Sequence, residues 1–232
     1  MRGIELRGAR VRYGPLEALH GVTLAAPAGA VTVLLGTNGS GRTTALRALA
    51  GTLPLTAGAV LRDGEDITRR PAHARAARGV AFVPDRRAVF PALTVAENLE
   101  LSGTEADTER ALDAYPELRP LLPRPAGTLS GGEQRMLAVS RALRAPRTHP
   151  RHSTSVVLID EPAQGMSPPV AARTYALLAG LPAGVPACVV LAEQRLPPAL
   201  RESAGRTAVV VHELRRGTVV FSGEAAGLSP SG

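Results

Sequence analysis

Two kinds of apolar pattern alternate along this chain. Short unbroken runs, VTVLL (31–35), VAFVP (80–84), VVLID (156–160) and ACVVLA (187–192), have the length and β-branched content of buried strands. Between them lie stretches with helical spacing. RTTALRALA begins a helix that Gly51 stops. LTVAENLEL starts one with Thr94 as cap and Glu97 three residues on. In GGEQRMLAVSRALRA the residues Met136, Leu137, Val139 and Leu143 form one apolar stripe, and VAARTYALLAGL is a further helix. Near the N-terminus IELRGARVRYG and VTLAAPAGAVTVLL read as strands meeting at turns. AVLRDGEDIT carries a D-G turn between two short extended pieces, and VVVHELRRGTVVFSG reads as a terminal hairpin. From Thr104 to Arg124 the helical pattern is broken by Pro116, Pro120 and Pro123, which predicts a small helical lobe. The alternation predicts an α/β protein.

Composition narrows the class. At 232 residues the chain can bury one domain's core, and a single domain over 1–232 is expected. No apolar run approaches the roughly 18 residues of a membrane span, and MRGIELRGARV lacks the apolar core of a secretory signal. The single cysteine, Cys188, lies inside a strand-like run, which excludes a disulfide framework and favours the cytoplasm. The net charge of +7 comes from 27 basic and 20 acidic residues, every basic one an arginine. These arginines are scattered and aromatics make up only 3%, so nucleic-acid binding is not expected. The basic segment RTHPRHSTS (147–155) reads as an exposed loop, with His149 and His152 too isolated for a metal site.

Three motifs carry chemistry. GTNGSGRTT, Gly36, Thr37, Asn38, Gly39, Ser40, Gly41, Arg42, Thr43 and Thr44, lies between a strand and a helix in the layout of a phosphate-binding loop. Glycines there let backbone N–H groups converge on phosphates at a helix N-terminus. Thr43 is placed to offer its hydroxyl to Mg²⁺. Arginine occupies the position where that layout has lysine. In VVLIDEP a buried strand ends in two carboxylates, Asp160 for a Mg²⁺ shell and Glu161 to orient or deprotonate a water. LSGGEQRM, Leu129 to Met136, places Ser130, Gly131, Gly132 and Glu133 at a helix start, again suited to phosphate.

Together these motifs resemble the ABC ATPases, P-loop proteins with a mixed-sheet core, an N-terminal antiparallel β-subdomain and a small helical subdomain, here at about 86–146. The stretch GVAFVPDRRAVFPALTVAENL (79–99) is similar to the branched-chain amino-acid importer branch. That resemblance implies ATP and Mg²⁺ as ligands, with Tyr13 stacking on the adenine. It implies a second ABC subunit, homologous or identical, whose signature faces this chain's phosphate loop. GMSP (165–168) matches the loop at that interface. It further implies permease subunits, met by the helical lobe, an indirect solute-binding protein, and a peripheral place on the inner face of the cell membrane. Asp85 stands where most members carry the Q-loop glutamine and Gln194 where they carry the switch histidine. Both replacements are common in this branch, and both residues are expected at the catalytic site, Asp85 also near the metal. The lobe between Leu101 and Ala126 is shorter than usual, and RTHPRHSTS resembles an insertion.

Arg42 leaves two functions open. In one, the chain is an ATP-hydrolysing transporter subunit, with Arg42 accommodated. In the other, it binds ATP with weak or no turnover and completes a partner's site through its clean signature. A third class, the soluble ABC ATPases of DNA or ribosomes, carries long coiled-coil insertions or two cassettes in one chain, and neither is present.

Overall fold

The computed structural model describes residues 2–101, 103–143, 154–184, 186–203 and 207–225. Two sheets and one helix between them build the nucleus. The first sheet is antiparallel, in the order β2-β1-β4-β5, from β1 (Gly3–Tyr13), β2 (Leu16–Pro27), β4 (Ala57–Arg62) and β5 (Glu65–Asp66). The D-G turn joins β4 to β5 with Asp63 and Gly64 both at positive φ, the geometry that a tight two-residue hairpin requires.

The second sheet runs β10-β9-β3-β8-β7-β6, from β3 (Ala30–Leu35), β6 (Val80–Val83), β7 (Ser155–Asp160), β8 (Ala187–Glu193), β9 (Ala208–Arg215) and β10 (Thr218–Glu224). Its strands from β9 to β6 are parallel, and only β10 returns antiparallel. Side chains alternate between two cores. Leu34, Leu158 and Val190 face the helix α1 (Arg42–Ala50), which packs through Ala45, Leu46 and Leu49 beneath the antiparallel sheet. Val33, Ile159 and Leu191 face the opposite layer of helices. Coverage on both sides is why these strands read as continuous apolar runs.

That opposite layer holds α3 (Val95–Glu100), α4 (Glu105–Ala114), α5 (Gly131–Leu143), α6 (Pro168–Gly184) and α7 (Pro198–Ser203), with 3-10 turns at Pro116–Leu121 and Ala126–Thr128. Thr94 and Glu97 form the expected capping box on α3, and Thr104 with Asp107 forms a second on α4. Proline placement explains the break in the helical pattern: the chain leaves α4 at Tyr115 and continues as a 3-10 turn containing Pro120.

Several boundaries differ from the sequence reading. VAFVP is the sheet's outer strand, with Ala81 and Phe82 only half-buried, because no strand pairs beyond it among the described residues. Thr154 and Ser155 are buried, Ser155 opening β7, so the exposed loop expected over 147–155 does not reach its last two residues. The remainder of that segment, with His149 and His152, lies outside the described residues, and so does the C-terminal stretch 226–232. The short α2 (Ala72–Ala76) and α7 had no signal in the pattern. Among the described residues no helix is long and apolar enough to cross a membrane. Cys188 is buried and free, its thiol pushed up to about 12 by burial.

Candidate functional site

Parallel register places the site. Leu35 pairs with Glu193 and Asp160 with Ala192, so the carboxyl ends of β3, β8 and β7 lie level and deliver Gly36, Gln194 and Glu161 to one rim. The outer strand β6 ends one residue before Pro84 and adds Asp85. Ligands of open parallel sheets bind at this rim. A cleft of about 690 Å³ opens there, lined by residues 37–44, Asp85, Asp160, Glu161 and Gln194, with Tyr13 on its wall.

The loop after β3 is shaped by glycine. Gly36, Gly39 and Gly41 have φ of 153°, 79° and 105°. A Cβ on Gly36 would lie 2.4 Å from the Leu214 carbonyl oxygen and 2.5 Å from Ser40 Oγ, and one on Gly41 2.9 Å from Leu19 Cδ2. Gly41 gives α1 no side-chain cap, and the first turn of the helix lines the cleft.

Four buried polar atoms here have no hydrogen-bond partner among the described residues: Ser40 Oγ, Arg42 Nη1, Asp85 Oδ1 and Asp160 Oδ2. Burying such groups unpaired costs about 1–3 kcal/mol each. A donor-rich glycine cradle beside an unpaired guanidinium nitrogen suits phosphate oxygens, and an unpaired carboxylate oxygen beside them suits a hard cation. The residues present therefore fit a magnesium–nucleoside triphosphate. Burial pushes the Asp160 carboxyl above its ordinary range, while the Thr43 hydroxyl, which hydrogen bonds to it, and Arg42 pull the other way.

Arg42 opens α1 and is 4% exposed. Its Nη2 lies 3.5 Å from Asn38 Oδ1 and 3.6 Å from Glu161 Oε1. Gln194 Nε2 donates to Glu161 Oε1 at 3.1 Å, and Gln164 Nε2 to Glu161 Oε2 at 2.9 Å. One carboxylate thus gathers an arginine and two amides. Asp85 sits on the cleft wall, its Oδ1 3.6 Å from Arg47. The Tyr13 hydroxyl comes to 3.5 Å from Thr44 Oγ1, and the residue is 42% exposed.

Ser130, Gly131, Gly132 and Glu133 do not line this cleft. They open α5 with a capping box of their own: Ser130 N–H donates to Glu133 at 2.7 Å and Glu133 N–H to Ser130 Oγ at 3.3 Å. A Cβ on Gly132 would lie 2.4 Å from the Gly165 carbonyl oxygen, so this turn and the GMSP loop touch through backbone.

The sequence profile described as ABC transporter matches residues 19–164. This chain belongs to the ABC transporter ATP-binding family. It is 34% identical over 220 residues to a probable branched-chain amino acid transport ATP-binding protein, LivF, of Archaeoglobus fulgidus, covering 92% of this chain and 88% of that one. It is 33% identical to the high-affinity branched-chain amino acid transport ATP-binding protein BraG of Pseudomonas aeruginosa, over 72% and 71% of the two chains. Among solved structures it resembles an ATP-binding subunit of an ABC transporter (TM-score 0.78, 22% identity, 96% and 90% covered). It also resembles the cassette MJ0796, dimeric and bound to ADP and Pi (TM-score 0.78, 21% identity, 97% and 100% covered). The expected family fold, a mixed sheet with an antiparallel sheet and helices, is the one observed.

Sequence reasoning missed part of this cleft. Glu17, Ala18 and His20 of β2 and Arg216 and Gly217 of the β9–β10 turn line it beside Tyr13. Gly217 N–H donates to the Ser40 carbonyl at 2.9 Å and its carbonyl accepts from His20 N–H at 2.8 Å, bracing the phosphate loop from behind. The R-G pair in a hairpin was visible in the sequence, but its contact with the loop is tertiary. Gln164 was equally invisible, an ordinary glutamine three residues past Glu161.

Proposed function

We propose that this subunit binds magnesium-ATP in the cleft at the carboxyl ends of β3, β7 and β8 and hydrolyses it to drive import of a small solute. The supporting observation is the convergence of Ser40 Oγ, Arg42 Nη1 and Asp160 Oδ2, buried and unpaired, on the open N-terminus of α1. In this reading the loop N–H groups and Arg42 hold the β- and γ-phosphates, and Tyr13 stacks on the base. Thr43 and Asp160 hold Mg²⁺ with Asp85 beside them, and the ion supplies charge neutralisation at the phosphate oxygens. Glu161 orients a water and takes its proton as the water oxygen bonds the γ-phosphorus and the bond to the bridging oxygen breaks. Gln194, already bonded to Glu161, fixes that carboxylate from the side of β8.

The solute we assign is a branched-chain amino acid, on the similarity to LivF and BraG. The helical segment of about 86–146 serves as a subdomain that meets permease subunits on the inner face of the membrane. Its groove of about 420 Å³ between the outer edge of β6 and α5, with Leu101 on its rim, supports that assignment.

A second reading has one observation in its favour. Arg42 Nη2 lies 3.6 Å from Glu161 Oε1, so the arginine that should grip phosphate also holds the carboxylate that should act on water. Turnover would then be slow while ATP binding persists. Phosphate release by the wild type, Arg42→Lys and Glu161→Gln separates these readings. Hydrolysis predicts Mg²⁺-dependent release that Glu161→Gln lowers about 10²-fold or more, with nucleotide still bound. A large gain in Arg42→Lys over a nearly silent wild type selects the second reading. Absence of ATP binding in all three would sink both.

A further inference from the structure

The helix that begins with the signature turn sends one buried side chain back to the catalytic rim. Arg135, in α5, is 5% exposed. Its Nε donates to the Glu161 carbonyl oxygen at 3.0 Å, and its Nη1 donates to the Pro84 carbonyl oxygen at 2.6 Å. Nη2 has no partner among the described residues. Burial lowers the pKa of the guanidinium, and Asp160, Glu193, Asp85 and Glu161 offset that cost by their charge. A position needed only for packing would hold an apolar side chain here, as Leu137 and Val139 do in the same helix.

What the two bonds hold is informative. Glu161 has φ of 49°, a left-handed conformation uncommon for a non-glycine residue. Its N–H donates to the Ala192 carbonyl at 3.0 Å, and its carbonyl accepts from Gln164 N–H at 3.1 Å as well as from Arg135. Pro84 directly precedes Asp85, so the same guanidinium fixes the backbone leading to another acidic residue of the cleft.

We propose that Arg135 is a positioning residue for hydrolysis: its guanidinium bridges α5 to the backbones of Glu161 and Pro84 and sets where the Glu161 carboxylate points. The signature turn at Ser130–Gly132 heads the same helix, so a shift of α5 on partner or nucleotide contact moves Glu161 through this bridge. Lysine keeps the charge here but lacks the fork that reaches two carbonyls at once. This role rests on Glu161 acting in hydrolysis, as proposed above.

The test uses the full chain as wild type, Arg135→Gln and Arg135→Lys, with amide hydrogen exchange read by peptide and steady-state phosphate release read alongside. Both variants are expected to exchange about tenfold faster over residues 160–166 while residues 31–35 are unchanged. Their kcat should fall about 10²-fold with KM for ATP within about threefold of wild type. Unchanged exchange over 160–166 in both variants overturns the proposal, as does wild-type behaviour restored by lysine. A rise in KM at unchanged kcat overturns it too. Loss of the cooperative thermal transition in both variants would make Arg135 a stability residue only. If the wild type releases no phosphate, exchange alone decides the bridge, and the hydrolysis reading fails separately.

Discussion

Glu193 ends β8 one residue before Gln194, and its side chain turns inward to accept a hydrogen bond from the Tyr175 hydroxyl. Burial pushes its pKa up to about 7, with the Tyr175 bond and the nearby arginines pulling the other way. A carboxyl raised in the folded state holds its proton between the ordinary value of 4.5 and about 7, whereas the unfolded chain releases it. Stability from this group is full below 4.5 and is lost as pH rises through 7. Glu193→Gln keeps an acceptor for Tyr175 and removes the titration. Its stability relative to wild type should therefore rise by roughly 2–3 kcal/mol between pH 5 and pH 8. Urea unfolding at both pH values reads this, and an equal difference at each would refute it. Residues of this kind were not legible in the sequence. Gly36 to Thr44 and Asp160–Glu161 announce themselves because their chemistry is local, a loop and a strand end. Glu193, Arg135 and Gln164 acquire roles only from what the fold sets beside them.

At the scale of elements, α1 shows how a helix is held at both ends for different purposes. Its N-terminus is left open to the cleft. Its C-terminus is closed by Gly51 at φ 76° and by Arg75 of α2, whose Nη1 donates to the Ala48 and Leu49 carbonyls at 2.8 and 2.7 Å. Nη2 of Arg75 donates to Ile67 and Thr68, and Nε to Arg70, so one buried cation satisfies five carbonyls and faces the negative end of the helix dipole. Arg75→Met should cost about 3–5 kcal/mol, since it removes all five of these bonds at once. A shift of less than 1 kcal/mol in chemical denaturation would refute that. The long elements were legible because alternating and helical periods persist through them, and the caps at Thr94 and Gly51 mark their ends. By contrast α2 spans five residues and α7 six, too few for any period, and β6 reads as buried although it lies at the sheet's edge. Edge position is a property of the sheet order, which no single strand encodes.

On the scale of the whole molecule, the two phosphate-type motifs do not meet. The loop of α1 opens on the large cleft, while Gly131 and Gln134 of α5 line an adjoining one of about 380 Å³ with Arg87 and Gly165, and Asp85, Arg86 and Gln164 border both. A chain that needs both motifs on one nucleotide must obtain the second from another subunit, which is the arrangement the family resemblance implied. Gly131 is the position to probe, because a Cβ there meets nothing within 4 Å and a substitution leaves the subunit's own packing intact. Gly131→Asp adds a negative charge where a neighbouring chain's γ-phosphate would arrive. It should keep monomer stability and ATP binding yet reduce turnover by about 10²-fold or more. Wild-type specific activity should rise with protein concentration until pairing saturates, and Glu161→Gln should form an ATP-dependent dimer on size-exclusion chromatography that Gly131→Asp abolishes. Constant specific activity from nanomolar to micromolar chain, with Gly131→Asp fully active, would mean that one subunit works alone and that its signature turn serves only to cap α5.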